Sequence, residues 1–202
     1  MSEVYVSIDI EADGPIPGIY SMLQLGAAAF DARGRRISGF SVNLKRLLGA
    51  KQNPDTMAWW KTQGDAYEQT RINPVAPSEA AALFGGWLSL LKPSSPICVA
   101  FPAAFDWPFV NYYLTRFKVR HPLNYACIDL KSFAMALLPQ PYLRESEEWF
   151  PKEWYPERRG PEHDALSDAI YQGELFMRML AWSRRRAALA GAAAGRAGTP
   201  PA

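Results

Sequence analysis

The sequence is poor in cysteine, in histidine and in net charge. Its only cysteines, Cys98 and Cys127, each lie in a short apolar run, which favours reduced thiols over a disulfide framework. The formal net charge is +2, so a polyanionic partner would need a local basic patch. No run of about 18 apolar residues occurs, and no basic N-terminal segment precedes an apolar one. We therefore expect a cytoplasmic protein without export signal or membrane span.

The length and the hydrophobic content indicate one folded domain. The chain has 202 residues, 49% of them hydrophobic, which is enough for one sizeable core and few for two. We assign residues 1–188 to this domain. Small residues dominate positions 189–202, which we expect to form a frayed or disordered tail.

Strand-like runs come first and alternate with helices later. The runs at 3–10, 21–30 and 36–44 predict an antiparallel meander, because "DARGR" between the last two suits a tight hairpin. Two short apolar runs follow, "PICVAF" and "YACIDL", with helical segments around them. This order predicts an α/β fold: a mixed five-stranded sheet with flanking helices.

Helix starts are marked by capping residues. Asn53 before Pro54 and Ser78 in "PSEAAALF" are the expected N-caps of two helices, and another helix is expected to begin near Asp106. A helix over "DLKSFAMALL" and a long amphipathic helix from "DALSDAI" onward complete the domain. Residues 139–162 between them are rich in proline and predict a long loop.

Two acids stand close together where the first strand ends, in "VSIDIEADG". Asp9 and Glu11 are two residues apart, so they share one strand face, whereas Val6, Ile8 and Ile10 share the other. Like charges held this close raise each other's pKa unless a cation or a proton is shared between them. The alternative is a solvated pair of acids at a strand end.

Two further acids and a histidine lie later in the chain. Asp106 in "AFDWPF" is at a strand-to-helix junction and could simply be an N-cap. Asp168 is in the first turns of the last helix, where the helix dipole alone could favour it. His163 is five positions earlier, so we expect it to reach a site from the loop rather than from the same helix face. The other histidine, His121, is interpreted as structural.

The order of these motifs resembles the DEDDh group of 3′→5′ exonucleases in the ribonuclease H-like superfamily. "DIE", "FD" and "HDALSDA" carry the resemblance, which covers most of residues 4–180. It implies metal-binding acids at Asp9, Glu11, Asp106 and Asp168 and a catalytic histidine at His163. "DTMAWWKTQ" and "DAIYQGELF" resemble, more narrowly, a branch with phage exonuclease A and certain bacterial exoribonucleases.

Two departures from the family pattern concern residues around the acids. Pro102 stands where the family often has an asparagine, and the first motif continues "EADGP" rather than with threonines. Contacts to the terminal nucleotide would then fall to backbone amides near Ala12 or to Asp13. By the same resemblance Met22 and Leu23 would wedge between terminal bases, although "SMLQL" is also an ordinary strand start.

Aromatic and basic residues offer further contacts to a single strand. Trp59 and Trp60 could stack on bases, or lie in the core, and we expect at least one to be core. Arg158 and Arg159 shortly precede His163, within reach of a substrate phosphate. We expect their loop to act as a mobile wall over the site. The alternative is a loop packed statically with solvated arginines.

The acids suit phosphodiester hydrolysis, in which two cations about 3.5–4 Å apart can clamp the attacking and leaving oxygens. Carboxylates without a nearby cysteine favour two Mg²⁺ or Mn²⁺ ions over zinc. His163 would act as general base, since imidazole changes charge near neutral pH. We therefore expect an exonuclease that releases nucleoside monophosphates from the 3′ end of single-stranded nucleic acid, with RNA slightly favoured over DNA. A homodimer is left open.

Two other functions remain open on the same fold. A non-catalytic module could bind 3′ ends, but it would have no physical need to keep mutually repelling acids. A ribonuclease H-like endonuclease is the second, and a histidine on a loop argues against it.

Overall fold

The structure, a computed structural model, describes residues 3–91, 95–138 and 150–197. The strands are β1 (Val4–Ala12), β2 (Met22–Asp31), β3 (Arg36–Asn43), β4 (Ile97–Ala100) and β5 (Cys127–Asp129). The α-helices are α1 (Pro54–Trp60), α2 (Ala66–Thr70), α3 (Pro77–Leu90), α4 (Ala103–Arg116), α5 (Leu130–Leu137) and α6 (Ala165–Ala197).

One five-stranded sheet, in the order β3-β2-β1-β4-β5, organises the molecule. The pairs β1–β2 and β2–β3 are antiparallel, whereas β1–β4 and β4–β5 are parallel. This confirms the predicted mixed sheet. β1 is central and covered on both faces: Val6 and Ile8 pack in a core with α3 and α4, and Tyr5 packs in a second core with α6. The face with Asp9 and Glu11 is therefore the α6 face.

The predicted N-cap is confirmed for α1, whereas α3 and α4 begin at other residues than predicted. Asn53 caps α1, and its Oδ1 accepts a hydrogen bond from the Thr56 amide at 2.9 Å. α3 begins at Pro77, so Ser78 lies in the first turn and is not the cap, because proline at that position is already set for a helix. α4 begins at Ala103, three residues before Asp106. Its Ala103 amide donates to Asp129 Oδ2 at 3.0 Å, a tertiary contact that the local sequence does not reveal.

Two aromatic residues in the described half of the proline-rich loop pack into the core. Trp154 lies in a short 3₁₀ turn, Lys152–Trp154, and is fully buried, with its ring centroid 5.4 Å from that of Trp182. Phe150 is also buried in this cluster. These two side chains hold residues 150–154 as the alternative of a statically packed loop would, whereas Glu157 and Arg159 are exposed and the mobile wall stays a prediction for residues 155–162. For residues 139–149 the expectation lies outside the described residues.

The last helix is longer than predicted. α6 runs to Ala197, so it includes residues 189–197, which we expected to be frayed or disordered. Alanine has the highest helix propensity, and this part of the chain is rich in it. Residues 198–202 lie outside the described residues, and the domain limit at 188 stays a prediction. In the described ranges, no helix has both the length and the apolar character that a membrane crossing requires.

Candidate active site

The candidate site forms where β1 and β4 end side by side. β4 runs parallel to β1, so the start of α4 lies next to the last residues of β1. The Ile10 amide, between Asp9 and Glu11 in sequence, donates to Asp106 Oδ1 at 3.1 Å. Asp106 is buried, with 2% of its surface exposed. The structure thus brings Asp106 to the acid pair, and its cap role is excluded because it lies inside the helix.

The start of α6 is fixed to β2 by a glutamine and a glycine. Gln24 accepts from the Ala165 amide at 2.9 Å and donates to Asp164 Oδ2 at 3.2 Å. Asp164 in turn caps the helix by accepting from the Ser167 amide at 2.9 Å. Gly26 lies so close to this turn that a Cβ would overlap the backbone of Ala165. These contacts hold the first turns of α6, with Asp168, over the acids of β1.

His163 lies directly before this helix in a left-handed backbone conformation, with φ of 59°. Its amide donates to Asp168 Oδ2 at 2.8 Å, which ties the backbone of the histidine to the fourth acid. Such a φ is uncommon for a residue with a side chain and is found where surrounding contacts impose it. Ligand atoms of Glu11, His163 and Asp168 all lie within 4.8 Å of one another. The histidine therefore reaches the acids from the loop, as its spacing predicted.

The electrostatics of the cluster are those of acids short of positive charge. Burial, followed by repulsion from Asp106, Glu11 and Asp168, raises the pKa of Asp9 well above its usual value. Burial and the charges of Asp168, Asp106 and Asp164 raise the pKa of Glu11 to about 8. Burial raises the pKa of Asp106 to about 7, against hydrogen bonds from the amides of Ile10 and of Asp106 itself. Asp106 Oδ2 is buried without a hydrogen-bond partner among the described residues.

One of the two predicted arginines reaches the cluster. Arg158 Nη1 lies 2.5 Å from Asp168 Oδ1, and its guanidinium carbon lies 4.4 Å from the centroid of the Tyr171 ring. Arg159 instead lies 3.9 Å from Glu157, with 74% of its side chain exposed, and does not line the cleft. The structure therefore brings Arg158 to the site and leaves Arg159 outside it.

The two tryptophans separate into a core residue, Trp60, and a partly exposed residue beside His163, Trp59. Trp60 is 1% exposed and donates from Nε1 to the Ala12 carbonyl oxygen at 3.0 Å, which confirms that at least one is core. Trp59 is 42% exposed, and its ring meets that of His163 edge-on, with centroids 4.8 Å apart. Stacking on a base thus stays a prediction for Trp59 and loses its basis for Trp60.

Three other predicted substrate contacts are not accessible. Met22 and Leu23 are 2% and 0% exposed in β2, so the wedge prediction is wrong and the alternative of a strand start holds. Asp13 is fully buried and already bound: its Oδ1 accepts from the Ser21 amide at 2.6 Å and its Oδ2 pairs with Arg46 at 2.7 Å. The side chain of Ala12 is buried as well, and a contact through its backbone stays a prediction.

Sequence reasoning missed Gln172. Its Nε2 donates to the Ile8 carbonyl oxygen at 3.0 Å and to Asp9 Oδ1 at 3.1 Å, so it orients the first acid. Gln172 is buried on α6, four residues after Asp168. Residues four apart share a helix face, and this spacing was the available signal.

The acids line a cleft of about 420 Å³, within the roughly 300–1,000 Å³ typical of ligand sites. His163 and Arg158 line it too, and its aromatic walls are formed by Phe101, Phe105, Phe150 and Tyr155. Acids at the floor and aromatic rings at the walls suit a ligand with a phosphate and a planar base.

Comparisons with known proteins identify the family of the chain. The family model of the 3'-5' exoribonuclease Rv2179c-like domain matches residues 4–180. The chain is 36% identical over 179 residues to the 3'-5' DNA exonuclease Cap18 of Escherichia coli, and the match covers 86% of this chain and 90% of that protein.

Solved structures share the fold at low sequence identity. The nuclease domain of 3'hExo, a DEDDh family member bound to rAMP, matches with a TM-score of 0.62 and 12% identity, over 88% of this chain and 92% of that one. S. pombe Pop2p, in its Mg²⁺- and Mn²⁺-bound form, matches with a TM-score of 0.56 and 16% identity, over 87% and 82%. The chain belongs to the 3'-5' exoribonuclease Rv2179c-like domain family and is a 3'-5' exonuclease of nucleic acid with the DEDDh fold.

Proposed function

We propose that this exonuclease depends on two divalent metal ions, Mg²⁺ or Mn²⁺, and releases nucleoside monophosphates from single strands with a free 3′ end. The observation that supports it most is the buried Asp106 Oδ2, which has no hydrogen-bond partner in the described part of the chain. The pKa values of Asp106 and of its neighbours Asp9 and Glu11 are all raised. Burying a carboxylate without a partner is costly, and a bound cation removes the cost.

The donor set fits a hard divalent cation. Asp9, Glu11, Asp106 and Asp168 offer carboxylate oxygens, which Mg²⁺ and Mn²⁺ prefer, and no cysteine lines the described cleft. These four residues would hold the ions. When bound, the ions would neutralise phosphate charge and lower the pKa of water. The structure of S. pombe Pop2p, which has a similar fold, contains both Mg²⁺ and Mn²⁺.

Other residues of the cleft would position the acids and the substrate and would deprotonate the attacking water. Gln172 keeps Asp9 in place through its 3.1 Å hydrogen bond. His163, edge-on to Trp59 and next to Glu11 and Asp168, would accept the proton of the attacking water. Phe101 and Phe105 provide apolar walls that would contact the terminal base and exclude water. Arg158 would bind a substrate phosphate, and Arg159 is left out of this proposal because it lies outside the cleft.

RNA is the proposed preferred substrate. It is supported by the exoribonuclease description of the family model that covers residues 4–180. The Escherichia coli relative is a DNA exonuclease, so matched RNA and DNA oligonucleotides of one sequence must be digested side by side. Faster digestion of the DNA would reverse the assignment.

The experiment that tests the activity uses a 5′-labelled single strand with Mg²⁺ or with EDTA. A shrinking ladder with Mg²⁺ and an intact strand with EDTA are expected, and Asp9→Ala should abolish the ladder. Asp55→Ala is the matched control, since this exposed acid lies on α1 outside the cleft. Internal cuts would mean an endonuclease, and binding without cleavage would mean a 3′-end-binding module. A ladder in EDTA would contradict the metal requirement.

A further inference from the structure

Both oxygens of Asp168 are already bound by the chain itself. Oδ1 is 2.5 Å from Arg158 Nη1, and Oδ2 accepts from the His163 amide at 2.8 Å. Hydrogen bonds to a carboxylate from an ionised donor are the stronger kind. Asp168 is therefore paired with a guanidinium at one oxygen and with a backbone amide at the other.

Arg158 is held at this position by three residues. Besides Asp168, its Nε lies 3.8 Å from Glu162 and its guanidinium lies over the Tyr171 ring, and its side chain is 30% exposed. Among the described residues that line the cleft it is the only lysine or arginine. It therefore shares the cleft with Glu11, Asp106 and Asp9, the other acids of the cluster.

A guanidinium and a divalent ion cannot both lie against the same carboxylate without repelling each other. Like charges this close repel each other even in water, and more strongly near a protein surface, where the effective dielectric constant is lower. A substrate phosphate carries the opposite charge and would attract the same guanidinium.

We propose that Arg158 is the counter-ion of the metal-free site, that it competes with metal for Asp168, and that metal binding releases it to the substrate phosphate. Arg158 thereby links metal binding to substrate binding. Its guanidinium becomes available to the substrate phosphate once the metal ion has replaced it at Asp168. This inference rests on the proposed metal dependence, and it adds an order to the binding steps.

The test is a calorimetric titration of Mg²⁺ or Mn²⁺ into metal-free protein without substrate. Arg158→Gln should bind the ion roughly three- to ten-fold more tightly than wild type, since an ion pair of modest strength no longer has to be broken. Arg159→Gln is the matched control: it removes the same charge one residue away, outside the cleft, and should leave metal affinity unchanged.

The second measurement is the binding of an oligonucleotide in Ca²⁺. Arg158→Gln should weaken it and flatten its dependence on salt, because fewer counterions are released. Tighter metal binding together with weaker oligonucleotide binding would not result from general damage to the fold, because such damage weakens both. Tyr171→Leu, which removes the ring under the guanidinium, should raise metal affinity by a smaller factor and serves if Arg158→Gln does not fold.

Unchanged or weaker metal binding in both Arg158→Gln and Tyr171→Leu would overturn the competition. Failure of the wild type to bind either ion would instead refute the metal-dependent function itself, so the two failures are distinguishable.

Discussion

Neutralising Asp106 should stabilise the metal-free protein while destroying its metal site. Burial raises the pKa of this carboxyl from 3.8 to about 7. At 1.36 kcal/mol per pKa unit, the charged form costs the folded state about 4 kcal/mol above pH 7. Asp106→Asn keeps an oxygen for the Ile10 amide and replaces the unpartnered oxygen by a donor facing acids. In EDTA at pH 8 the variant should therefore be about 4 kcal/mol more stable than wild type.

The sign of the pH dependence follows from the direction of the shift. Between about pH 4 and 7 the folded carboxyl binds a proton that the unfolded chain has released, so raising the pH removes stability, and above pH 7 the loss is complete. The raised pKa values of Asp9 and Glu11 act in the same direction. Metal-free wild type should thus lose stability from pH 5 to pH 8, and the gain from Asp106→Asn should grow over that range.

Urea unfolding in EDTA at pH 5 and pH 8 measures both effects, with Asp55→Asn as an exposed control. Saturating Mg²⁺ should remove the advantage of Asp106→Asn, because only wild type then binds the ion with its full set of acids. A variant that is no more stable than wild type at pH 8 in EDTA would refute the view of Asp106 as a costly buried charge.

Three further predictions concern His163, Trp59 and the end of α6. His163→Ala should lower turnover roughly 10²–10⁴-fold, the usual range for a general base, with metal affinity largely kept; calorimetry showing that metal binding is lost as in Asp9→Ala would make the histidine a ligand. Trp59→Ala should lower kcat roughly 10-fold or more because the imidazole loses its edge-on neighbour, and Trp59→Phe should restore most of it; equal rates for both variants would remove that role. Deleting residues 189–202 should leave activity and Tm nearly unchanged, since Leu189 is 71% exposed; a lower Tm, or a change in sedimentation, would show that the segment docks on the domain or holds a homodimer together.

The parts of the molecule that were predictable depend on local pattern. β1, β2 and β3 alternate or run apolar over their whole length, and Asn53 makes the capping bond that its position suggests. The acids Asp9 and Glu11 were visible because period two places them on one face. The motif order then pointed to Asp106 and Asp168 as their companions.

The parts that were not predictable depend on partners far away in sequence. The Ala103 amide is capped by Asp129, which moves the start of α4 and takes Asp106 away from the cap position. Trp154 is buried in a segment without any period, because Trp182 and its neighbours on α6 provide the cavity. Gln172 contacts Asp9 across 163 residues, so only the assembled sheet and helix reveal its role.

The closeness of α6 to the sheet depends on a position without a side chain. Gly26 admits the backbone of Ala165 and Leu166 where any Cβ would overlap them. Asp9 and Glu11 lie on the sheet, and Asp168 lies on the helix, so this position contributes to the gap between two halves of the site. One added methyl group at residue 26 would widen that gap while every charged and polar group remained in the chain. A survey that judges related sequences as active from their five signature residues alone would pass such a chain, although the distance between its carboxylates would have changed.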